Sequence, residues 1–365
     1  MPTASFDGFQ PVRPAARHQQ ITDFLRDQVI SGALAPDARL PTTQELAKRW
    51  NVPIATIQAA FAPLVKEGLL LRRPGFGTVV RSQAPALTRV AIYQIAVPDW
   101  NGGDRFAFRL ADLVESRLAE RGLDSQRLVD RRAGDERTEP LAEMVQAARS
   151  RHIDAMIATD TDERSTPWLQ RLPVPTAIYG SGGSANEPWF DIPDFASQGL
   201  ARLAARGCRR VGLITVLPAR PAQRAFDLHR AFVGGLAAHG LETRPEWLRL
   251  PGADEDVSEG EAERFGYRQV HALWAAGERP DGLLVYTDRV ARGVVMGLLA
   301  LGVQTEPPHL VLHRNAELGL FCPLPADYLE SSATTMAEGL IAVVEAQHRG
   351  RPLPPSLLQF SLVAG

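Results

Sequence analysis

The sequence predicts an α/β chain in two parts. A small helical domain with a two-stranded wing comes first. A large body of doubly wound parallel sheets, arranged in two lobes, follows. Three observations carry this expectation. Residues 40–80, LPTTQELAKRWNVPIATIQAAFAPLVKEGLLLRRPGFGTVV, read as two short helices, a tight turn between them and a hairpin. From residue 89 onward, short apolar runs alternate with helical patterns, which implies parallel sheets covered by helices on both faces. The length, 365 residues with 45% hydrophobic content, suffices for a small core and a large one.

Taken in order, residues 1–14 are rich in Pro, Gly and small polar residues and read as a flexible arm. A helix is expected over 16–30, with Ile21, Phe24, Leu25 and Val29 on one face. Gly32 ends it, and Pro36-Asp37 makes a turn. Thr42 or Thr43 can cap the next helix, with Glu45 spaced for a capping box. Asn51-Val52-Pro53 breaks the pattern, since Asn tolerates a turn conformation and Pro suits a helix start. Ile57, Ala60, Phe61 and Leu64 then recur at helical spacing, which leaves Ile54, Ala55 and Gln58 facing outward. Pro63 should bend this helix or mark an irregularity. Residues 69–71 and 78–80 read as a hairpin around Pro74-Gly75-Phe76-Gly77. A helix pair with a small outer face beside a basic hairpin suits the major groove and flanking phosphates of DNA.

This stretch resembles the winged helix-turn-helix of the GntR family. The residues that carry the resemblance are the LPT opening, ELA in the first helix, EGLL before the wing and GxGT within it. The resemblance spans about residues 15–82, and it implies DNA contacts at Thr42, Thr43, Gln44, Pro53, Ile54, Ala55, Thr56, Gln58, Arg72, Arg73 and Gly75. Family members commonly carry Arg where this chain has Gln44, Ile54 and Gln58, and Ser or Thr in place of Pro53. Charge agrees with a DNA-facing head. Residues 1–85 carry +4 and the remainder −6, within a net charge of −2. An uneven scatter of solvated surface charge would look the same.

Residues 83–88 read as a linker, and 89–365 as the body. Strands are expected near 90–95, 125–129, 155–158, 176–179, 210–216, 246–250, 282–286 and 310–313. Helices are expected near 106–121, 141–151, 195–206, 222–239, 261–276 and 289–301. The body resembles the ligand-binding domain of LacI/GalR regulators, itself similar to periplasmic sugar-binding proteins. The matching runs are Phe190-Asp191 with Gly199, the stretch from Arg209 to Ile214, and Pro280-Asp281-Gly282 through Thr287-Asp288, Ala291 and Gly293. It departs from that pattern at Thr287, His313 and Leu228. A GntR head on a LacI-type, periplasmic-binding-protein-like body is the architecture of arabinose-repressor-like regulators.

Ligands of open α/β lobes bind at the carboxyl ends of strands. Asp288 follows strand 282–286, where its carboxylate can accept sugar hydroxyls or cap a helix beginning at Arg289. The resemblance places an effector contact at this position. Asp191 has the same two readings. Trp100 and Phe106 follow the first body strand and either stack on a sugar ring or pack internally. Arg224 can supply the arginine absent at Leu228, one helical turn away. Tyr267 precedes a lobe helix and either lines the cleft or joins the core.

No G-x-S-x-G elbow, H-E-x-x-H helix or P-loop occurs, so no catalytic residue is assigned and an enzyme is not expected. His271 and His313 read as structural or exposed rather than as metal ligands, and no metal or cofactor is expected. Cys208 and Cys322 form neither a disulfide framework nor a metal pair. No apolar run spans a membrane and the N-terminus lacks a signal peptide's apolar core, so the cytoplasm is the expected compartment. The sequence therefore points to a transcriptional regulator, by default a repressor. Its partners would be operator DNA and a small, sugar-like effector bound between two lobes, and it would act as a homodimer. The alternative is a small-molecule binding protein whose head has lost specific DNA recognition and serves as an interaction module.

Overall fold

The structure is a computed structural model. It describes residues 17–73, 76–81, 87–95, 105–180, 186–217, 227–252, 257, 260–303 and 306–365. The elements are, in order, α1 (Arg17–Ile30), α2 (Thr43–Arg49), α3 (Ile54–Lys66), β1 (Leu70–Arg73), β2 (Gly77–Val80), β3 (Arg89–Ile95), α4 (Arg105–Glu120), β4 (Asp124–Asp130), α5 (Ala142–Arg149), β5 (Ala155–Ala158), α6 (Thr166–Leu169) and β6 (Thr176–Ile178). They continue as β7 (Trp189–Phe190), α7 (Ile192–Ala205), β8 (Val211–Thr215), α8 (Leu228–Gly235), β9 (Leu248–Arg249), α9 (Ala262–Ala275), β10 (Gly282–Tyr286), α10 (Asp288–Ala300), β11 (His309–Asn315), β12 (Ala326–Ser331), α11 (Ala333–His348), β13 (Leu357–Leu358) and β14 (Ser361–Val363). The chain divides into two compact units, 1–93 with 115–187 and 340–354, and 94–114 with 188–339 and 355–365.

The first unit contains the head. Ile21 and Leu25 of α1 are fully buried, and Phe24 and Val29 pack at the edge of the same core. That core joins them to Leu46, Trp50, Ile57, Phe61, Leu64, Leu70 and Val80. Each fully buried Leu, Ile or Phe contributes about 1.5–3 kcal/mol, so this small domain rests on the face that the helical spacing marks. Thr22 Oγ1 donates to Ala60 O at 3.0 Å and fixes α1 across α3. Thr42, rather than Thr43, caps α2, and Glu45 returns the bond to the Thr42 backbone N–H, completing the capping box. Asn51 takes a left-handed conformation, φ 49°, so the short Asn side chain makes the turn between the helices. α3 runs unbroken through Pro63. In the wing, β1 and β2 pair antiparallel with Leu70 opposite Val80 and Arg73 opposite Gly77. Residues just before α2 add a bridge to the wing, Arg39 to Val79.

The rest of the first unit is built on a four-stranded sheet in the order β4-β3-β5-β6, with β3-β5 and β5-β6 parallel. Residues 90–95 of β3 are all buried, as expected of a parallel strand covered on both faces. The second unit carries a six-stranded sheet, β14-β12-β11-β10-β8-β9, in which only the β12–β14 pair is antiparallel. Leu283, Val285, Leu310 and Leu312 join α9 and α10 in one core. The alternate positions meet α7, where a Cβ on Gly199 would collide with Leu284 at 2.5 Å. α9 and α10 approach so closely that a Cβ on Gly293 would lie 1.9 Å from Glu263 O.

Several expected boundaries move. α7 begins at Ile192 because Asp191 caps it and Pro193 occupies its first turn. α8 is described only over Leu228–Gly235, followed by a 3-10 turn at Ala237–His239. The strand expected at 246–250 is reduced to two residues by a 3-10 turn at Pro245–Trp247. β11 extends two residues further, to Asn315. Beyond it, β12, α11, β13 and β14 complete the body from sequence that gave no assigned element. Among the described residues, no helix is long and apolar enough to cross a membrane.

Candidate nucleic-acid interface and effector site

The capping box orients α2, and the Asn51 turn sets α3 so that its first turn faces outward. Gln44, Pro53, Ile54, Ala55 and Gln58 are exposed, while Thr43 and Thr56 are half-buried beside them. Ile54 is 42% exposed, a high value for a large apolar side chain on a short domain. Thr42 is exposed but its hydroxyl is engaged with Glu45. Arg72 and Arg73 are exposed on β1, and Arg73 lies only loosely beside Asp37, at 4.0 Å. Gly75 lies outside the described residues. Arg39, not singled out in the sequence, lies over the Phe76 ring at 5.2 Å and braces the wing with its charge still at the surface. Its bridge to the wing makes the arrangement, and nothing in the local sequence pattern announces it.

Within the first unit, an ion network joins the head to the sheet-bearing part. Arg26 of α1 makes a two-point contact with Glu67, Nε to Oε2 at 3.2 Å and an Nη to Oε1 at 2.8 Å. Arg151, in the turn after α5, reaches the same Glu67 at 3.1 Å. A charged crevice of about 830 Å³ opens beside them, lined in part by Asp27, Arg81, Asp154 and Arg349. Asp154 accepts from Thr88 and from the Arg89 backbone N–H, and Arg349 pairs with Glu345, so part of the lining is already engaged and the crevice reads as a junction rather than a ligand pocket.

The second unit gathers a different set at the carboxyl ends of its strands. Aromatic rings form a continuous run. Phe106 meets Phe190 at 6.4 Å, Phe190 meets Phe360 at 5.3 Å, and Phe360 meets Phe195 at 5.1 Å. Phe195 meets Tyr286 at 4.9 Å, and Tyr286 lies against His313 at 4.6 Å. Such contacts contribute roughly 0.5–1.5 kcal/mol each beyond area burial. A polar chain ends the run. His313 Nε2 is 2.9 Å from Ser331 Oγ, which donates to Asn315 Oδ1 at 2.5 Å. Burial pushes the His313 pKa down to about 4, opposed by the negative charge of Asp288, so the ring is neutral at physiological pH. Burial and the same Asp288 push the Tyr286 hydroxyl up, keeping it protonated.

Asp288 is the first residue of α10, with Thr287 at the N-cap position and no side-chain cap bond. The capping role expected for Asp288 is therefore not what its position gives. It is 9% exposed, yet among the described residues its carboxylate has neither a hydrogen bond nor an ion pair. Asp191 does cap, accepting from the Asp194 N–H at 3.0 Å. Phe106 lies in the first turn of α4 and is buried. Tyr267 does not precede a helix. It sits in the middle of α9, within the helix expected over 261–276, 38% exposed, with its ring on His271 at 4.5 Å. Trp100 and Arg224 lie outside the described residues.

The run of rings links the elements that carry Phe106, Asp191 and Asp288, and Tyr267 stays on a helix surface. His313, Asn315 and Ser331 were missed as site residues. The signal was present in the alternation of His313 and Asn315 at a strand end, where two polar side chains share one face. Of the two readings given for His313, the exposed one does not hold, since it is 4% exposed; the structural one fits Nε2, bonded with Ser331, while Nδ1 has no partner among the described residues.

Known proteins divide the chain the same way. Residues 17–80 match the model of the bacterial regulatory proteins of the gntR family, and residues 200–356 match that of the periplasmic binding protein-like domain. The head is 40% identical over 73 residues to the uncharacterized HTH-type transcriptional regulator YurK of Bacillus subtilis (strain 168), covering 20% of this chain and 29% of that protein. It is 39% identical over 67 residues to the HTH-type transcriptional repressor NagR of the same organism, covering 18% and 28%. The chain spans under a third of the length of these two relatives. The Cra transcriptional dual regulator from Pseudomonas putida, solved in complex with fructose 1-phosphate, has the fold of the body. That likeness has TM-score 0.53 and 20% identity over 75% of this chain and 98% of that one. The chain therefore joins a GntR-type helix-turn-helix head to a periplasmic-binding-protein-like body with the fold of LacI-family regulators.

Proposed function

We propose that the protein is a DNA-binding transcriptional regulator, by default a repressor, and not an enzyme. A small, sugar-like effector controls its operator affinity. The observation that carries this reading is the exposed first turn of α3, set between α2 and a basic wing on a head that matches the gntR family. Thr42, Thr43, Gln44, Pro53, Ile54, Ala55, Thr56 and Gln58 then meet the major groove, and Arg72 and Arg73 meet phosphates. Phe106, Asp191 and Asp288 serve the effector. The working division is a head at 15–82, a linker at 83–88 and a body from 89. Two half-sites call for two heads, so the body is assigned the dimer contact and the protein the cytoplasm. Effector and DNA must alter each other's affinity by the same factor. Footprinting at physiological salt tests this reading. A discrete protected site is expected, and weak binding everywhere that fades with salt counts against it.

A second reading is favoured by one observation. Among the exposed residues of α3 before its last turn, Ile54, Ala55, Gln58, Ala59 and Ala62, none is basic. On that reading the head has lost base recognition and acts as an interaction module for a small-molecule binding body. The same footprint separates the two.

A further inference from the structure

His313 is an unusual group to find at the end of a buried strand. It is 96% removed from solvent and neutral, and only one of its ring nitrogens is satisfied. The hydrogen-bond chain assigns its tautomer. The Ser331 Oγ to Asn315 separation, 2.5 Å, suits an O–H···O bond and is too short for N–H···O. Asn315 therefore presents its carbonyl oxygen, and Ser331 spends its only proton on it. Ser331 Oγ can then only accept from His313, so Nε2 carries the ring proton. Nδ1 is left as a bare lone pair with no donor among the described residues. A buried acceptor without a donor is costly and calls for a partner that the chain does not supply.

A carboxylate lies close enough to act on it electrostatically. Tyr286, whose ring lies against His313, ends β10, and Asp288 opens α10 two residues later. Asp288 as a residue is 9% exposed, and its carboxylate has no ion pair or hydrogen bond among the described residues. Around His313 stand the rings of Tyr286, Phe195 and Phe360. Arg314, the next residue on β11, is committed elsewhere, to Glu330 and to the face of Tyr328. The cluster offers acceptors and apolar faces, and a negative ligand group would meet an unpaired carboxylate.

We infer that His313 Nδ1 and the Asp288 carboxylate form an acceptor pair for an O–H or N–H donor on a ligand end without negative charge. His313 is then a specificity-determining residue of the effector site. This rests on the effector-binding reading above and adds to it the chemical class. The end of the effector held here is a hydroxyl-bearing or amine-bearing one, not a phosphate or carboxylate.

The test uses the full chain, without DNA, and calorimetric titration with defined probes. These are glucose, ribose and arabinose as neutral sugars, glucosamine as the amine arm, and glucose 6-phosphate and glucuronate as the anionic arm. At least one neutral or amino sugar binds, and its anionic counterpart binds roughly tenfold more weakly or not at all. Stronger binding by glucosamine than glucose identifies an ammonium donor, and the reverse a hydroxyl. Deoxy analogues of the binding sugar then locate the donor. One of them loses roughly tenfold in the native protein, and that difference vanishes in His313→Phe but persists in His313→Gln, which keeps an acceptor. Long-range ¹H–¹⁵N correlation of the imidazole rings, read on the native protein, shows the Nε2–H form between pH 6 and 8.

An Nδ1–H form overturns the inference, as does binding confined to the anionic probes or absent for every neutral and amino sugar. Equal affinity for all deoxy analogues also overturns it, since Nδ1 would then be served by a buried water. Failure of the regulator reading is visible separately. A protein with His313-dependent sugar binding and no DNA footprint keeps this inference and loses only the operator.

Discussion

Asp288→Ala separates a ligand-binding carboxylate from a structural one by its opposite effects on affinity and stability. The native carboxylate is 9% exposed and, among the described residues, unpaired, at the first position of α10. An acid there gains about 0.3–1 kcal/mol from the helix N-terminus. Leaving a desolvated acceptor without a hydrogen-bonded partner costs on the order of 1–3 kcal/mol, and more for a charged group. The two oppose each other and the desolvation cost is the larger, so the ligand-free mutant should be at least as stable as the native protein. Effector affinity behaves differently. A charged hydrogen bond to a ligand hydroxyl contributes about 1.5–3 kcal/mol, which is roughly 10- to 150-fold in Kd. The assay is thermal melting of both proteins, with and without a sugar that stabilises the native chain. At 100 times its Kd such a sugar adds about 2.7 kcal/mol, and roughly half or more of that increment should vanish in the mutant. An undiminished increment, or a ligand-free mutant destabilised by several kcal/mol, would make Asp288 a structural residue and refute the reasoning.

Three further outcomes follow from named side chains. Arg73→Ala should weaken binding to all DNA sequences alike and lower the salt slope by about one, measured by anisotropy across ionic strengths; a change in base preference at constant slope would assign Arg73 to base reading. Gln58→Arg should shift preference from A toward G at one symmetric pair of positions, by about 1–3 kcal/mol if the contact is direct, and an unchanged selected motif would place Gln58 outside the groove. Acid should destabilise the second unit in two stages. The folded His313 pKa, about 4, lies below its ordinary 6.5. Its stabilising contribution, about 3 kcal/mol, is complete above pH 6.5 and is lost as pH falls toward 4. The Arg206 and Arg202 guanidinium groups hold Asp327 well below the usual carboxylate range, so its contribution persists to lower pH and is lost only there. Urea unfolding from pH 7 to 4 should show the first stage in the native protein and not in His313→Phe; equal slopes would contradict the assignment.

The head was legible in the sequence because local rules decide it. Thr42 with Glu45, Asn51, and the spacing of Ile57, Phe61 and Leu64 each act within a few residues, and the structure keeps all of them. The parallel sheets were legible through strand and helix alternation as far as β11. Sequence order could not show that β14 returns antiparallel to β12, a pairing across more than thirty residues. The effector region was half legible. Asp288 stood out as a carboxylate after a strand. His313, Ser331 and Phe360 acquire meaning only through sheet register and packing, which bring side chains from β11, β12 and the segment before β14 to one face. Tyr267 was misplaced although the helix expected over 261–276, observed as Ala262–Ala275, already contained it.

The central claim is that the exposed turn of α3 and the wing read a discrete operator. Selection of the full-length protein on a random DNA pool at physiological salt, followed by footprinting of the enriched sequence, tests it most directly. Gln44 and Gln58 can pair with adenine, and Ile54 and Ala55 can meet thymine methyl groups. The account predicts a two-fold symmetric site with A·T pairs facing these residues and a protected footprint over both halves. Enrichment of no sequence, with binding that collapses as salt is raised, would contradict it, and a motif dominated by guanines at those positions would refute the contact scheme.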